Sequence, residues 1–315
     1  MSPRKKILVT GATGFVGANL VNRLVKENFE VHVIIRKDSN KWRLGDLEDL
    51  EEHRIDLLDF ENLEKTVEKI KPEIIFHLAA VSVFSGIESD EDQLIKTNLF
   101  GAINLIRATR PINYQCFINT GSGAEYGLNN EIRKETDLCQ PVSVYGIAKL
   151  AATQYASLEA KRYNKPILTL RLFSPYGPYD NQKRLISDNI IKALQNQNLE
   201  LANPDAVRDY IYIDDVIDLY LKTISRVNDF KGEVFNVGSG NQSTSKEVID
   251  KIIKITDSQS KDWWDKISSS PWDTKVWQAD ISKTRTAFDW RPKHNLEEGL
   301  KKTITWFKTN SFFYQ

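Results

Sequence analysis

Lys6-Ile-Leu-Val-Thr10-Gly11-Ala-Thr-Gly14-Phe-Val-Gly17 begins the chain's first regular pattern. A short apolar run meets a glycine-rich turn. Val16, Leu20, Val21, Leu24 and Val25 then recur at helical spacing. Strand, turn and helix in this order predict the opening βα unit of a dinucleotide-binding domain. Gly11 permits the tight turn. Gly14 lets the backbone approach a pyrophosphate seated on the helix N-terminus, and Gly17 lets the helix pack closely on the strand. GxxGxxG is a relative of the GxGxxG fingerprint, and ordinary βα turns also use glycine. The strand before it and the helix after it are what point to a cofactor. Thr13, Phe15 and Val16 complete the expected cofactor loop.

The second strand, Glu30-Val-His-Val-Ile-Ile35, tests which cofactor. In an NAD site an acid normally ends this strand and bonds the ribose 2′-OH. Here the position holds Arg36, followed by Lys37. An arginine there suits a 2′-phosphate, so NADPH/NADP+ is favoured. Asp38 keeps NAD+ open. His32 alternates with apolar neighbours and reads as structural.

Further strands and helices alternate. Arg54-Ile-Asp56-Leu57-Leu-Asp59 reads as a third short strand ending in an acid that could meet the adenine. Asn62 to Ile70 is an amphipathic helix ended by Lys71-Pro72. Glu73-Ile-Ile-Phe-His-Leu78-Ala79-Ala80 is apolar without alternation, as in a buried parallel strand. Its small exit residues leave room for a cofactor backbone. Ile95 to Thr109 is helical and carries Asn98. Cys116-Phe-Ile-Asn119 delivers Thr120-Gly-Ser122-Gly-Ala-Glu-Tyr-Gly127 at its C-terminal end, where functional loops of open α/β sheets lie. Ser122 is therefore placed as a hydroxyl donor.

Tyr145-Gly-Ile-Ala-Lys149 comes next, on a helix. Residues four apart share a helix face, and an ammonium beside a phenol favours the phenolate. The pair can therefore serve acid–base chemistry near neutrality. YxxxK also occurs by chance, and the cofactor loop and Ser122 are what give it weight. Ala148, Ala151, Ala152 and Ala156 form a small stripe on this helix that allows close helix–helix contact. The last clear strand is Lys165 to Phe173. This alternation implies an α/β fold, a Rossmann-type doubly wound parallel sheet.

Bulk properties narrow the class. The 315 residues are 41% hydrophobic, enough for one large α/β domain or two intimate ones. With 43 basic and 43 acidic residues, the chain offers no electrostatic case for nucleic acid or an anionic membrane. Two cysteines, Cys116 and Cys139, form no CxxC. No His/Cys ligand spacing appears, so neither a metal nor a disulfide is expected. No signal or spanning segment is evident, and a cytoplasmic location is expected. Beyond residue 173 the pattern loosens. The tail holds Trp263, Trp264, Trp272, Trp277, Trp290 and Trp306, a density read mainly as aromatic packing of a small lobe.

In combination these residues resemble the extended short-chain dehydrogenase/reductase family of nucleotide-sugar epimerases, dehydratases and reductases. The matching elements are the Gly11 loop, Asp56-Leu57, His77-Leu-Ala-Ala80, Asn98, Ser122 with Tyr126-Gly127, Tyr145/Lys149, Arg171, Tyr176-Gly-Pro178, Arg208-Asp209, Asp214-Asp215 and Asn236-Val-Gly238. They run in the family's order from residue 7 to about 300. The resemblance implies a cofactor domain over 1–173 plus about 207–237, and a smaller α/β nucleotide-sugar lobe over about 174–206 plus 238–315. It implies a homodimer through a four-helix bundle, which the alanine stripe permits. It also implies roles. Ser122, Tyr145 and Lys149 are catalytic. Gly11, Thr13, Gly14, Phe15, Val16, Gly17, Arg36, Lys37, Asp56, Leu57, Leu78, Ala79, Ala80, Asn98, Tyr145 and Lys149 hold the cofactor. Val83, Ser122, Gly123, Ala124, Glu125, Phe173, Ser174, Arg184, Asn189 and Arg208 bind the nucleotide-diphosphate sugar. A salt bridge from Arg208 to Asp205 or Asp209 is the plainer alternative for that arginine.

The two residues after Ser122 bear on the reaction. The family's 4,6-dehydratases carry Asp-Glu there, and this chain has Gly123 and Ala124, with Glu125 one place late. Arg36 and the segments 120–127 and 206–209 resemble the 4-keto-6-deoxy sugar reductases. The expectation is NADPH-dependent reduction of an NDP-4-keto-6-deoxyhexose. A 4-epimerase is the alternative, and a dehydratase or a non-catalytic NAD(P)-sensing regulator stands further off.

Overall fold

A computed structural model describes residues 4–45, 47, 49–81, 90–268 and 273–314. Val83 and Trp272 lie outside the described residues. The first elements are β1 (Lys6–Thr10), α1 (Phe15–Lys26), β2 (Glu30–Ile35), β3 (Leu50–Arg54), α2 (Phe60–Ile70) and β4 (Ile74–His77). Then come α3 (Glu91–Ile95), a π-helical turn (Lys96–Phe100), α4 (Gly101–Thr109), β5 (Cys116–Ser122), α5 (Val144–Tyr163) and β6 (Ile167–Leu172). The rest comprises β7 (Ser174–Tyr176), α6 (Leu185–Leu194), β8 (Leu199–Glu200), β9 (Val207–Arg208), β10 (Tyr210–Tyr212), α7 (Ile213–Thr223) and β11 (Val234–Val237). It closes with β12 (Ser243–Thr244), α8 (Ser245–Thr256), β13 (Asp262–Trp263), α9 (Ser282–Phe288) and α10 (Leu296–Asn310).

The central sheet has seven strands in the order β11-β6-β5-β4-β1-β2-β3, and the pairings from β3 through β6 are parallel. This is the expected Rossmann-type sheet. Strand order reverses between β1 and β4, and ligands of open α/β sheets bind at such a point. β1, β4, β5 and β6 are buried along almost their whole length, which is why they read as unbroken apolar runs. Leu63, Val67 and Ile70 of α2 pack with Leu105, Ile106 and Phe117 over one face of the sheet.

β3 departs from the sequence reading. It lies at 50–54 rather than 54–59, and its Leu-Glu-Glu-His-Arg is mostly polar. β3 is the edge strand, so half of its surface meets water and carries no apolar signature. The segment read as a strand is a turn instead. Asp56 accepts from the Leu58 amide at 2.9 Å, and Asp59 caps α2.

The chain divides into two compact units. The first comprises Met1–Gly127, Cys139–Leu172 and Ile217–Phe235. The second comprises Leu128–Leu138, Phe173–Val216 and Asn236–Gln315. Segment 128–138 joins the second unit because Arg133 exchanges backbone hydrogen bonds with Gln278 and Asp280. Segment 207–216 joins it because β9 pairs with β12 and β10 with β7. Among the described residues no helix is long and apolar enough to cross a membrane.

Candidate active site

In the first unit, the loops leaving β1 and β4 meet at the reversal of strand order. Gly11 has φ +73°, and a Cβ there would lie 2.5 Å from the Ala79 nitrogen. A Cβ on Gly17 would strike the Gly11 carbonyl oxygen. Both positions therefore require glycine. Helix α1 starts at Gly14 with no side-chain cap and no acid in its first turn. By contrast Asp59, Ser143 and Thr244 cap α2, α5 and α8. An uncapped, acid-free helix start beside a tight glycine turn presents amide donors and a positive dipole end to an anion.

Lys149 and Tyr145 lie one turn apart on α5, whose first turn is fixed by the Ser143 hydroxyl accepting from the Gly146 amide at 3.1 Å. Lys149 is buried, and its Nζ donates to the Thr120 carbonyl at 2.6 Å. Burial pushes its pKa down to about 8, while the charge of Glu125 opposes the shift. His77 is also buried. Its Nδ1 lies 2.7 Å from Thr10 Oγ1, and burial together with the Lys149 charge pushes it down to about 3, so the ring stays neutral. Tyr145 is half-buried.

Ser122 ends β5. Its Oγ accepts from the Ala124 amide at 3.2 Å, so its own O–H proton points elsewhere and can be donated. Residues 123–125 form a 3-10 turn rather than an extended segment, and this turn aims Glu125 inward. The sequence reading counts Glu125 among the substrate contacts. Instead it is fully buried, bonded to Arg171 Nε at 2.7 Å, the Ser122 amide at 2.8 Å and Thr153 Oγ1 at 3.1 Å. It braces the turn beneath Ser122.

Other expected cofactor residues divide by what they touch. Asn98 is buried in the π-helical turn and clamps Val81. Its Oδ1 accepts from the Val81 amide and its Nδ2 donates to the Val81 carbonyl, each at 2.8 Å. It thus acts on the exit of β4. Leu57 is buried in the core cluster. Leu78, Ala79 and Ala80 come directly after β4, and the Ala79 amide donates to Thr10 Oγ1 at 3.3 Å. Arg36 and Lys37 sit immediately past β2, exposed, with Arg36 Nε 3.6 Å from Asp38. Arg43, which sequence reading passes over, donates to the Thr13 carbonyl at 3.3 Å and lies over the Trp42 ring. It reaches the Gly11–Gly17 loop from beyond β2, and no motif marks it.

The second unit holds the remaining expected substrate residues. Arg208 lies over the Trp277 ring, and Trp277 packs against Phe173. The Arg208 ion pair goes to Asp273 at 3.2 Å, not to Asp205 or Asp209. Asp209 is buried, accepting from the amides of Ser239, Gly240 and Ala279 and from the Ser239 hydroxyl. Burial still pushes it up to about 6. Arg184 pairs with Asp180 at 3.1 Å. The charges of Arg208 and Arg184 both reach the Tyr210 phenol, whose pKa burial of the ring pushes up to about 12. Ser174 is buried in β7 beside Tyr210. Asn189 is buried with its Oδ1 lacking a partner. Arg208 and Arg184 thus both act on Tyr210, an aromatic residue not foreseen as a site member, and Arg208 also lies over Trp277. A cavity of about 690 Å³ in this unit, lined by Tyr210, Ser239, Arg285, Arg291 and His294 among others, contains none of the expected substrate residues.

The sequence model of the NAD dependent epimerase/dehydratase family matches residues 7–238. A probable dTDP-glucose 4,6-dehydratase of Sinorhizobium fredii is 25% identical over 98% of this chain and 95% of its own length. The crystal structure of UDP-glucose 4-epimerase from Thermotoga maritima with UDP-glucose superposes with a TM-score of 0.90 at 27% identity, covering 97% of this chain and 99% of that one. UDP-glucuronic acid 4-epimerase from Bacillus cereus, in complex with UDP-glucuronic acid and NAD, gives 0.86 at 27% identity over 96% and 99%.

Proposed function

Because the chain belongs to the NAD dependent epimerase/dehydratase family, we propose that it inverts C4 of a nucleoside-diphosphate sugar using a bound nicotinamide dinucleotide. The Gly11 cradle and the uncapped start of α1 suit the pyrophosphate, and Lys149 suits the nicotinamide ribose. When bound, the nicotinamide supplies hydride exchange at the sugar carbon. This chain supplies the rest. Tyr145 takes and returns the proton of the C4 oxygen. Ser122 donates a hydrogen bond to that oxygen and steadies charge as it develops. Lys149 sets the electrostatics of Tyr145 from one turn away. Arg208 and Arg184 are the guanidinium groups suited to the diphosphate.

The observation that carries this reading is the fate of Glu125. Dehydration needs a second acid–base group after the serine. Here Gly123 and Ala124 have no such group, and Glu125 is locked under Arg171. What remains is a single-oxygen proton exchange, which epimerisation requires. The UDP-sugar 4-epimerases among the structural relatives support the same choice.

A second reading, reduction of an NDP-4-keto-6-deoxyhexose with NADPH, is favoured by Arg36 and Lys37 past β2. One experiment separates the two. The protein is given UDP-glucose, UDP-galactose, UDP-glucuronate and UDP-N-acetylglucosamine with NAD+, and separately NDP-4-keto-6-deoxy sugars with NADPH. Interconversion of saturated sugars with no net cofactor use supports the epimerase. Stoichiometric NADPH oxidation with a two-hydrogen mass gain, and no interconversion, would replace it with the reductase.

A further inference from the structure

We propose that His32, His53 and Glu51 form a divalent transition-metal site at the edge of the Rossmann sheet, with Glu30 as the carboxylate that orients His32. These residues share one face of two neighbouring strands. In the β2–β3 register His32 faces Glu51 and Ile34 faces His53, so alternation puts 30, 32, 51 and 53 on the same side. Their spacing along the chain carries no ligand motif, and the strand pairing alone assembles them.

The distances fit a metal. Imidazole nitrogens bound to zinc at about 2.0–2.1 Å on tetrahedral axes lie about 3.3 Å apart. His32 Nδ1 is 3.1 Å from His53 Nε2 and 3.3 Å from Glu51 Oε2. One ligand atom from each of the three falls within 4.8 Å of the others.

Proton placement points the same way. His32 Nε2 is 3.1 Å from Glu30 Oε1, and Glu30 is also paired with Lys6 at 3.3 Å. With the His32 Nε2–H donated to Glu30, the Nδ1 lone pair of the neutral ring faces Glu51 and His53. That lone pair meets a carboxylate oxygen and a second imidazole. In that tautomer a proton on His53 Nε2 serves one of these contacts, whereas a bound cation meets all three. A carboxylate holding the far nitrogen of a ligating histidine is the usual supporting shell of such a site. Two imidazoles and a carboxylate select zinc-like or cobalt-like ions over calcium or magnesium. Glu51 is largely exposed, so water can reach the remaining coordination positions.

β2 and β3 bracket residues 36–49, the segment that carries Arg36 and Arg43. A metal on His32 and His53 would tie the two ends of that segment together and stabilise the folded chain by mass action.

The test uses tag-free, full-length protein stripped with EDTA and titrated with Co²⁺. The expected result is one saturable visible ligand-field band per chain, displaced by Zn²⁺, with a rise in thermal midpoint. His53→Ala and Glu51→Gln should abolish it. Glu30→Gln should weaken it about 10–100-fold, the usual loss when an outer carboxylate is removed. His53 lies on an edge strand and is only part-buried, so its loss should leave the fold intact, which retained binding of the nicotinamide dinucleotide checks. Only four histidines exist in the chain, and His294→Gln in the second unit should leave the band unchanged. Wild-type protein with no saturable band, a band that survives His53→Ala, or one lost in His294→Gln would overturn the assignment.

Discussion

Among single residues, the site rests on how Lys149 is held. It is buried, donates to the Thr120 carbonyl, and has a pKa of about 8 because burial disfavours its charge. Turnover that needs the ammonium should therefore decline as pH rises through about 8, and a kcat/KM profile flat well beyond that point would remove Lys149 from the chemistry. Stability has the opposite sign. Unfolding returns Lys149 toward 10.5, so its burial cost is present in full below about 8 and is relieved as pH climbs toward 10.5. Tyr145→Phe should keep fold and cofactor affinity while losing about 10²–10⁴-fold in turnover, the usual share of a general acid–base group. Activity within a small factor of wild type would assign the proton elsewhere. Glu125 makes a different prediction because its work is structural. Removing one member of a buried pair strands the other charge, so Glu125→Ala should cost about 3–5 kcal/mol in chemical denaturation. A loss of activity with unchanged stability would return Glu125 to the reacting group.

Among elements, the turn after β2, with Arg36, Asp38 and Arg43, is where we place the choice of cofactor. Arg36 is exposed and only loosely paired with Asp38, a contact worth about 0–1 kcal/mol, so either residue is available to a ribose. Titrating NADPH and NADH against wild type, Arg36→Ala and Asp38→Ala should show the first change lowering the NADPH/NADH preference and the second raising it. An unmoved ratio in Arg36→Ala would take the 2′-phosphate away from this side chain and direct attention to Arg43 on the Thr13 carbonyl. Elements also explain which parts of the fold are legible in the sequence. β1, α1, β4 and β5 are local patterns with buried, unbroken apolar faces, so the Gly11 loop, Ser122 and the Tyr145/Lys149 pair can be read directly. β3 escapes because an edge strand carries charge. The inward turn of Glu125 escapes because a single 3-10 turn after β5 leaves no periodic signal in the sequence. Asn98 reads as a cofactor ligand although its side chain clamps the Val81 backbone, since a motif residue does not reveal whether it acts directly or through a neighbour. Trp277, Tyr210 and the His32/His53/Glu51 group depend on pairings between strands and loops distant in sequence, and no periodicity encodes those.

For the molecule as a whole, the remaining question is what covers α5. The alanine stripe reads in sequence as serving an intermolecular bundle. Of that stripe, Ala148, Ala152 and Ala156 are buried within the protomer, where α5 packs on β5 and β6, and Ala151 is half-buried. Their small size lets the helix sit close to its own sheet. The face left over is more informative. Ile147 is 53% exposed and Leu158 54%, and they stand about three helical turns apart on one side of α5. Phe100, 48% exposed, belongs to the π-helical turn that packs beside the same helix. We propose that these exposed apolar side chains on adjoining helices belong to an interaction surface. Two copies meeting there would bring α5 and its neighbour together twice, as in the four-helix bundle proposed from the family resemblance. An isologous contact of this kind is disabled on both sides by one substitution. Ile147→Glu combined with Leu158→Glu should therefore convert a dimer into a monomer in light scattering, with the circular dichroism spectrum and cofactor binding retained because neither side chain faces the core. Wild-type protein that is already monomeric at micromolar concentration, or a double variant that remains dimeric, would place the interface elsewhere.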